Sequence, residues 1–318
     1  MPDNITRHIT IMTLLACLAV IPARVSAGDY SRLVVFGDSL SDPGNAFALR
    51  GEQTVPPYDT LSPFLVPSAP YAKGGHHLSN GATWIEQLGK TLKLNKSVGP
   101  AWRVPGVFTN YAVGGARARD DGINVNLAVQ VSAFTGLPNS ASLLDGALVV
   151  LWLGGNDVRD AVQSADPAAV ITAAIVAIQD NITALYLAGA TDFLIGNAPD
   201  VGLTPAILLA DGLFPGLAAG ATAASMSFNA ALEALLAGLE FALPGISFKR
   251  LDAFQFIRDT VADPQGAGLM NVDAACVTPG IPPFSCKKPD NYLFWDGIHP
   301  TRAGHAVLAG EAGMVLAN

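Results

Sequence analysis

Four short apolar runs, each followed by a long Ala/Leu-rich stretch, recur along this sequence: Leu33 to Phe36, Ala147 to Leu153, Phe193 to Gly196 and Ile246 to Leu251. Runs of that length, without polar alternation, suit strands buried on both faces. Between and after them, Pro167 to about Ala188 with Asp166 as N-cap, Ala221 to Leu239 and Arg302 to Leu316 predict helices. Strand–helix alternation of this kind implies an α/β protein whose parallel sheet carries helices on both faces. Charged residues at 14% and hydrophobic residues at 50% exclude a disordered chain and supply a large core. No internal repeat or Ser/Gly linker divides the sequence, so one domain is expected over residues 28–318. Two stretches read as irregular: residues 51–81, with five prolines, and residues 199–220, apolar and broken by Pro and Gly. Loops of that length usually form walls or lids of a site.

The first 27 residues read as a signal peptide. Arg7 precedes an apolar run from Ile9 to Ile21, and Val25-Ser26-Ala27 offers small residues where signal peptidase cuts. The run is too short to span a bilayer, which takes about 20 residues. Export to the periplasm or medium is therefore expected, and with it a disulfide between Cys276 and Cys286, the two cysteines left after cleavage. No His or Cys stands near them at metal-ligand spacing, so a metal site there is not expected. The net charge of −8, with no Lys/Arg cluster, argues against nucleic acid as a partner.

In an open parallel sheet, ligands bind at the carboxyl ends of strands. The first run ends in Gly37-Asp38-Ser39-Leu40, where a serine hydroxyl would project over the sheet edge, near the start of a helix. Alone, Ser39 reads as a helix cap. Near the other end stands Asp296-Gly297-Ile298-His299-Pro300-Thr301. An acid three residues before a histidine can turn back onto one ring nitrogen, leaving the other to take a proton from a serine. No other histidine has a carboxylate so placed: His76 and His77 fall in a Gly-rich loop and are expected in solvent, and His305 lies within the last helix. Two further segments could donate to an oxyanion. Asn110-Tyr111-Ala112-Val113-Gly114-Gly115 offers the N–H of Gly115, and Gly154-Gly155-Asn156-Asp157 offers the side chain of Asn156.

Taken in order, these four blocks resemble the GDSL esterases and lipases, the SGNH hydrolases. The resemblance extends over most of residues 31–310 through Asp42 and Asn45, Ser227-Phe228-Asn229 and Tyr292-Leu293-Phe294-Trp295, and is closest to the bacterial phospholipase/lecithinase/haemolysin-type branch and the plant lipases. It implies a three-layer α/β/α sandwich with a five-stranded parallel sheet in flavodoxin-like order. By resemblance Ser39 is the nucleophile, His299 the general base and then acid, and Asp296 the residue that orients His299. The resemblance likewise implies an oxyanion hole made by the N–H groups of Ser39 and Gly115 and the side chain of Asn156, and a reaction that uses no metal or organic cofactor. Some bacterial relatives carry a C-terminal β-barrel. This sequence stops after the last helix, so a free rather than a membrane-displayed protein is expected.

The function expected is that of a secreted serine esterase or lipase acting on carboxylic, lipid-type esters through an acyl-Ser39 intermediate, with at most transient membrane-surface contact. Acyl transfer or phospholipase action from the same acyl-enzyme, and deacetylation of carbohydrates, stay open, as does the oligomeric state. A secreted solute-binding protein is the reading from another class; binding alone would not require Ser39, Asp296, His299 and two oxyanion donors together. The segment Val201 to Leu209 is expected either to line or cover an acyl groove or to be one more core helix.

Overall fold

The computed structural model describes residues 30–51, 71–72, 76–278 and 280–318. The expected signal segment 1–27 and most of the proline-bearing stretch at 51–81 lie outside the described residues. Four strands, β1 (Arg32–Gly37), β2 (Ala147–Trp152), β3 (Asp192–Gly196) and β4 (Ser247–Leu251), pair in parallel in that order. Each starts within a residue of its expected position. Residues 109–113 run beside β1 on the edge that β2 leaves open: Val35 N donates to Thr109 O (2.9 Å), Tyr111 N to Val35 O (2.7 Å) and Val113 N to Gly37 O (3.1 Å). This segment takes the fifth place in the sheet and completes the flavodoxin-like order, as a single bridge, Val35 with Asn110, rather than a regular strand. The reason is local: Asn110 accepts from Ala112 N with its own Oδ1 and donates through Nδ2 to Ser41 O, which bends the chain out of extended pairing.

The helices are α1 (Asn45–Arg50), α2 (Trp84–Thr91), α3 (Leu127–Thr135), α4 (Ser140–Leu144), α5 (Gly155–Gln163), α6 (Pro167–Leu187), α7 (Pro205–Asp211), α8 (Leu217–Ala242), α9 (Ala253–Ala262) and α10 (Arg302–Ala317). Alternate strand residues point to opposite faces, and two cores result. Val34, Phe36, Val149, Leu151, Phe193 and Ile195 pack against Phe134 of α3, Val158 of α5, Ile178 of α6 and Phe228 of α8. On the other face Leu33, Val35, Leu148, Val150 and Leu194 meet Trp84 and Leu88 of α2 and Leu308 of α10. The three layers are those of an α/β/α sandwich. Asp166 caps α6 as expected, its Oδ1 accepting from Ala169 N at 3.0 Å. A second, two-stranded parallel sheet, β5 (Asn271–Ala275) with β6 (Tyr292–Phe294), was not apparent from the sequence. It leads the chain from the Cys276–Cys286 loop into Asp296.

Candidate active site

The serine turn begins where β1 ends. A Cβ on Gly37 would stand 3.1 Å from Ser41 Cβ and 3.2 Å from Trp152 O, so any side chain there would make its neighbours give by a few tenths of an ångström. Asp38 Oδ1 accepts from Leu40 N (3.0 Å), and Ser41 N donates to Asp38 O (3.1 Å). Ser39 therefore sits at the tip of a hydrogen-bonded turn, and α1 starts only at Asn45, so the serine caps no helix. Its neighbour Asp38 is fully buried; burial pushes its carboxyl up to about 6, against the lowering effect of the Leu40 N–H and of His299.

Asp42 fastens this turn to the next block. Its Oδ1 accepts from Gly44 N and Asn45 N, and its Oδ2 from Ala46 N (3.0 Å) and Gly114 N (2.8 Å). Asn45 Nδ2 in turn donates to Asn110 O and Ala112 O, each at 2.8 Å. Gly115 follows at φ +85°, a left-handed conformation that favours glycine. The third block enters through Gly154, where φ is +126° and a Cβ would fall 2.4 Å from Phe228 Cζ. Asn156, in the first turn of α5, donates one Nδ2 hydrogen to Ala116 O (2.9 Å), while Arg159 Nη1 donates to its Oδ1 (3.3 Å). The arginine fixes which end of the amide is the donor, and Ala116 brings that donor beside Gly115. Asp157 is buried below, accepting from Ala118 N (2.8 Å) and Arg119 N (3.3 Å), its carboxyl pushed up to about 6 by burial despite those donors.

The fourth block closes onto the first. Asp296 Oδ1 accepts from Ile298 N and His299 N, both at 2.8 Å, which folds the loop back on itself. Asp296 Oδ2 lies 2.7 Å from His299 Nδ1, and His299 Nε2 lies 2.8 Å from Ser39 Oγ. Burial opposes ionisation of Asp296, but His299 and the two backbone N–H groups outweigh it and hold the carboxyl below the usual range. An ionised carboxylate only accepts, so Nδ1 carries the proton and Nε2 is left to accept from the serine hydroxyl. Asp296 and His299 are each 1% exposed and Ser39 8%, so the chain of bonds is shielded from competing water.

The structure thus joins Ser39, His299 and Asp296 in one hydrogen-bonded chain, and Gly115 and Asn156 through Ala116. Among the described residues no His, Cys, Asp and Glu are grouped to hold a metal ion. Two expectations need correction. His77 is not in solvent: it is buried, its Nε2 2.8 Å from Glu86 Oε2 at the N-terminal end of α2. His76 is half-buried and packs against Phe47, the ring centroids 4.0 Å apart and the planes tilted by 50°. In both cases the partner is distant enough in sequence, or common enough, that spacing gives no cue. Sequence reasoning also missed Tyr71, buried at the far end of the proline-bearing stretch, whose hydroxyl donates to Asp296 Oδ2 at 2.7 Å. The apolar segment at 201–209 resolves into a short 3₁₀ turn and α7, and α7 is tied to the histidine loop by Ala206 N donating to Gly297 O (2.9 Å).

Comparison with known proteins places the chain in a family. The family described as GDSL-like Lipase/Acylhydrolase matches residues 33–312. Lipase 1 of Photorhabdus luminescens is 34% identical over 190 residues, 59% of this chain but only 25% of that protein's length. A GDSL esterase/lipase of Arabidopsis thaliana is 25% identical across 88% of this chain and 87% of its own, and the phosphatidylcholine-sterol acyltransferase of Aeromonas hydrophila 26% across 93% and 94%. The family match covers nearly all of the sheet and all four blocks, and on that extent the chain belongs to the GDSL-like lipases and acylhydrolases and is an enzyme of ester bonds.

Proposed function

We propose that the protein cleaves lipid-type carboxylic esters through a covalent acyl-Ser39 intermediate. The observation that carries this reading is the Ser39–His299–Asp296 chain of 2.8 and 2.7 Å bonds. Ser39 Oγ attacks the carbonyl carbon while its proton passes to His299 Nε2, and the imidazolium is offset by the Asp296 carboxylate. The carbonyl oxygen, now negative, takes hydrogen bonds from the N–H groups of Ser39 and Gly115 and the second Nδ2 hydrogen of Asn156. His299 returns its proton to the departing alkoxide. Water, deprotonated by the same nitrogen, then frees the acid and restores Ser39. An alcohol in place of that water would give acyl transfer, a second reading favoured by the near-complete alignment with an acyltransferase.

The lipid class is supported by the surface next to the histidine loop. Leu209 on α7 and Leu213 and Phe214 after it are 59–70% exposed, and their helix is anchored to Gly297. An apolar ridge beside an ester-cleaving site suits transient contact with aggregated lipid. Export is proposed on the apolar run Ile9 to Ile21 and on the Cys276–Cys286 disulfide, a bond that persists in oxidising compartments. The test is a product analysis with Ser39→Ala: the parent should release free acid from a phospholipid and a soluble aryl ester, and the variant neither. Retention of parent rates by Ser39→Ala would overturn the proposal.

A further inference from the structure

Asp296 is saturated with donors. Its Oδ1 holds two backbone N–H groups, and its Oδ2 holds both His299 Nδ1 and the hydroxyl of Tyr71, each at 2.7 Å. We infer that Tyr71 is a positioning residue of the reaction, setting through Asp296 how strong a base His299 is and how its ring is aimed. The inference rests on the acyl-enzyme reading above.

The geometry gives the phenol no other task on that side. Tyr71 is 5% exposed and packs in a small cluster with Cys276, Val277 and Trp295, beside Cys286 and Leu78. Its backbone neighbour Ala72 is pinned by donation to Ser79 O (2.8 Å), and Ser79 Oγ donates to Pro300 O (2.8 Å), next to the histidine. The ring is thus held between the disulfide loop and the catalytic loop, and its hydroxyl meets the one carboxylate oxygen that also serves His299. Burial and the adjacent Asp296 both push the phenol well above its ordinary value, so it stays a donor over any working pH.

A carboxylate oxygen that shares its electron density with a phenol O–H is a weaker partner for the imidazole. Removing that O–H leaves Asp296 more basic toward His299 Nδ1, favours the protonated imidazole, and so moves the loss of base function to higher pH. The other groups that act on this pair stay in place: Asp38 from the serine turn, His305 from α10 and Arg159 from α5.

The experiment uses the full chain with Tyr71→Phe, which keeps the ring and its packing, and a soluble aryl ester as probe. The acid limb of the kcat/KM profile should move up by about half to one pH unit, less than the full worth of a hydrogen bond to a charged group because the effect reaches His299 through Asp296. The plateau kcat should fall by roughly 3- to 10-fold with KM within about twofold, because the acid loses a constraint rather than a substrate contact. A ring-fluorinated tyrosine placed at position 71 is a stronger donor and should move the limb the opposite way. It also serves if Tyr71→Phe folds poorly. Profiles of both substitutions superimposing on the parent would reduce Tyr71 to packing and overturn the inference. Ser39→Ala separates the two levels: if it is inactive while both position-71 profiles match the parent, only the Tyr71 inference fails; if it keeps parent rates, the acyl-enzyme reading itself fails.

Discussion

His299 Nε2 and Ser39 Oγ lie 2.8 Å apart although 260 residues of chain separate them. Packing of a sheet against helices does not require that approach. It comes from two loops, each folded by its own aspartate: Asp38 accepts from Leu40 N in one and Asp296 from Ile298 N and His299 N in the other.

The oxyanion role proposed for Asn156 gives the first prediction. Asn156→Ala should lower kcat by about 100- to 1,000-fold with little change in KM, the usual cost of losing one preorganised donor. Steady-state kinetics on a soluble ester checks it; unchanged kcat with a raised KM would make Asn156 a ground-state binding residue.

The disulfide gives the second. Cys276 N and Val277 N donate to Phe294 O and Trp295 O, so the bridged loop is laid along the segment that enters Asp296. Replacing both cysteines by serine should cost roughly 2 to 4 kcal/mol of stability, the usual worth of closing a short loop. Denaturant unfolding measures it, and activity should fall more steeply than the soluble fraction as temperature rises. Equal stability with and without the bridge would contradict this.

A third prediction concerns pH. Asp38 is held at about 6, above its ordinary carboxylate value. The folded state therefore binds this proton more tightly than the unfolded state, and its contribution to stability is complete below about pH 4 and lost as pH rises through 6. Asp38→Asn keeps an acceptor for Leu40 N and removes the buried charge. Its unfolding free energy should match the parent near pH 4 and exceed it by roughly 1 to 3 kcal/mol above pH 7. A constant difference across that range would show that Asp38 does not titrate there.

Fourth, serine at both Leu213 and Phe214 should leave turnover of a soluble aryl ester within about twofold and reduce hydrolysis of phospholipid vesicles by roughly tenfold or more, through loss of apolar contact area. Equal losses on both substrates would mean that these residues support the fold rather than a lipid surface.

Much of the architecture was legible because the four apolar runs have no other use than as buried strands, and Asp166 with Pro167 marks a helix start unambiguously. The site was legible where its chemistry is local, as in Asp296 and His299, three residues apart in one loop. What escaped is non-local. Tyr71 reaches Asp296 across 225 residues, and His77 finds Glu86 only because the loop folds back on α2. The run at 109–113 reads as strand-like and does lie along β1, and it is Asn110's side-chain bonds that keep it from being a full strand. Residues 271–275 carry both Asn271 and Asp273 and only one β-branched residue, Val272, so β5, partly exposed, gives no strand signal.

The covalent role of Ser39 is open to direct chemical labelling: the full chain is treated with a fluorophosphonate and the adduct mapped by peptide mass spectrometry. One adduct per chain is expected, on Ser39, formed at the rate at which hydrolysis is lost and abolished by Ser39→Ala. Full loss of hydrolysis with Ser39 unmodified, or an adduct on another residue, would contradict it.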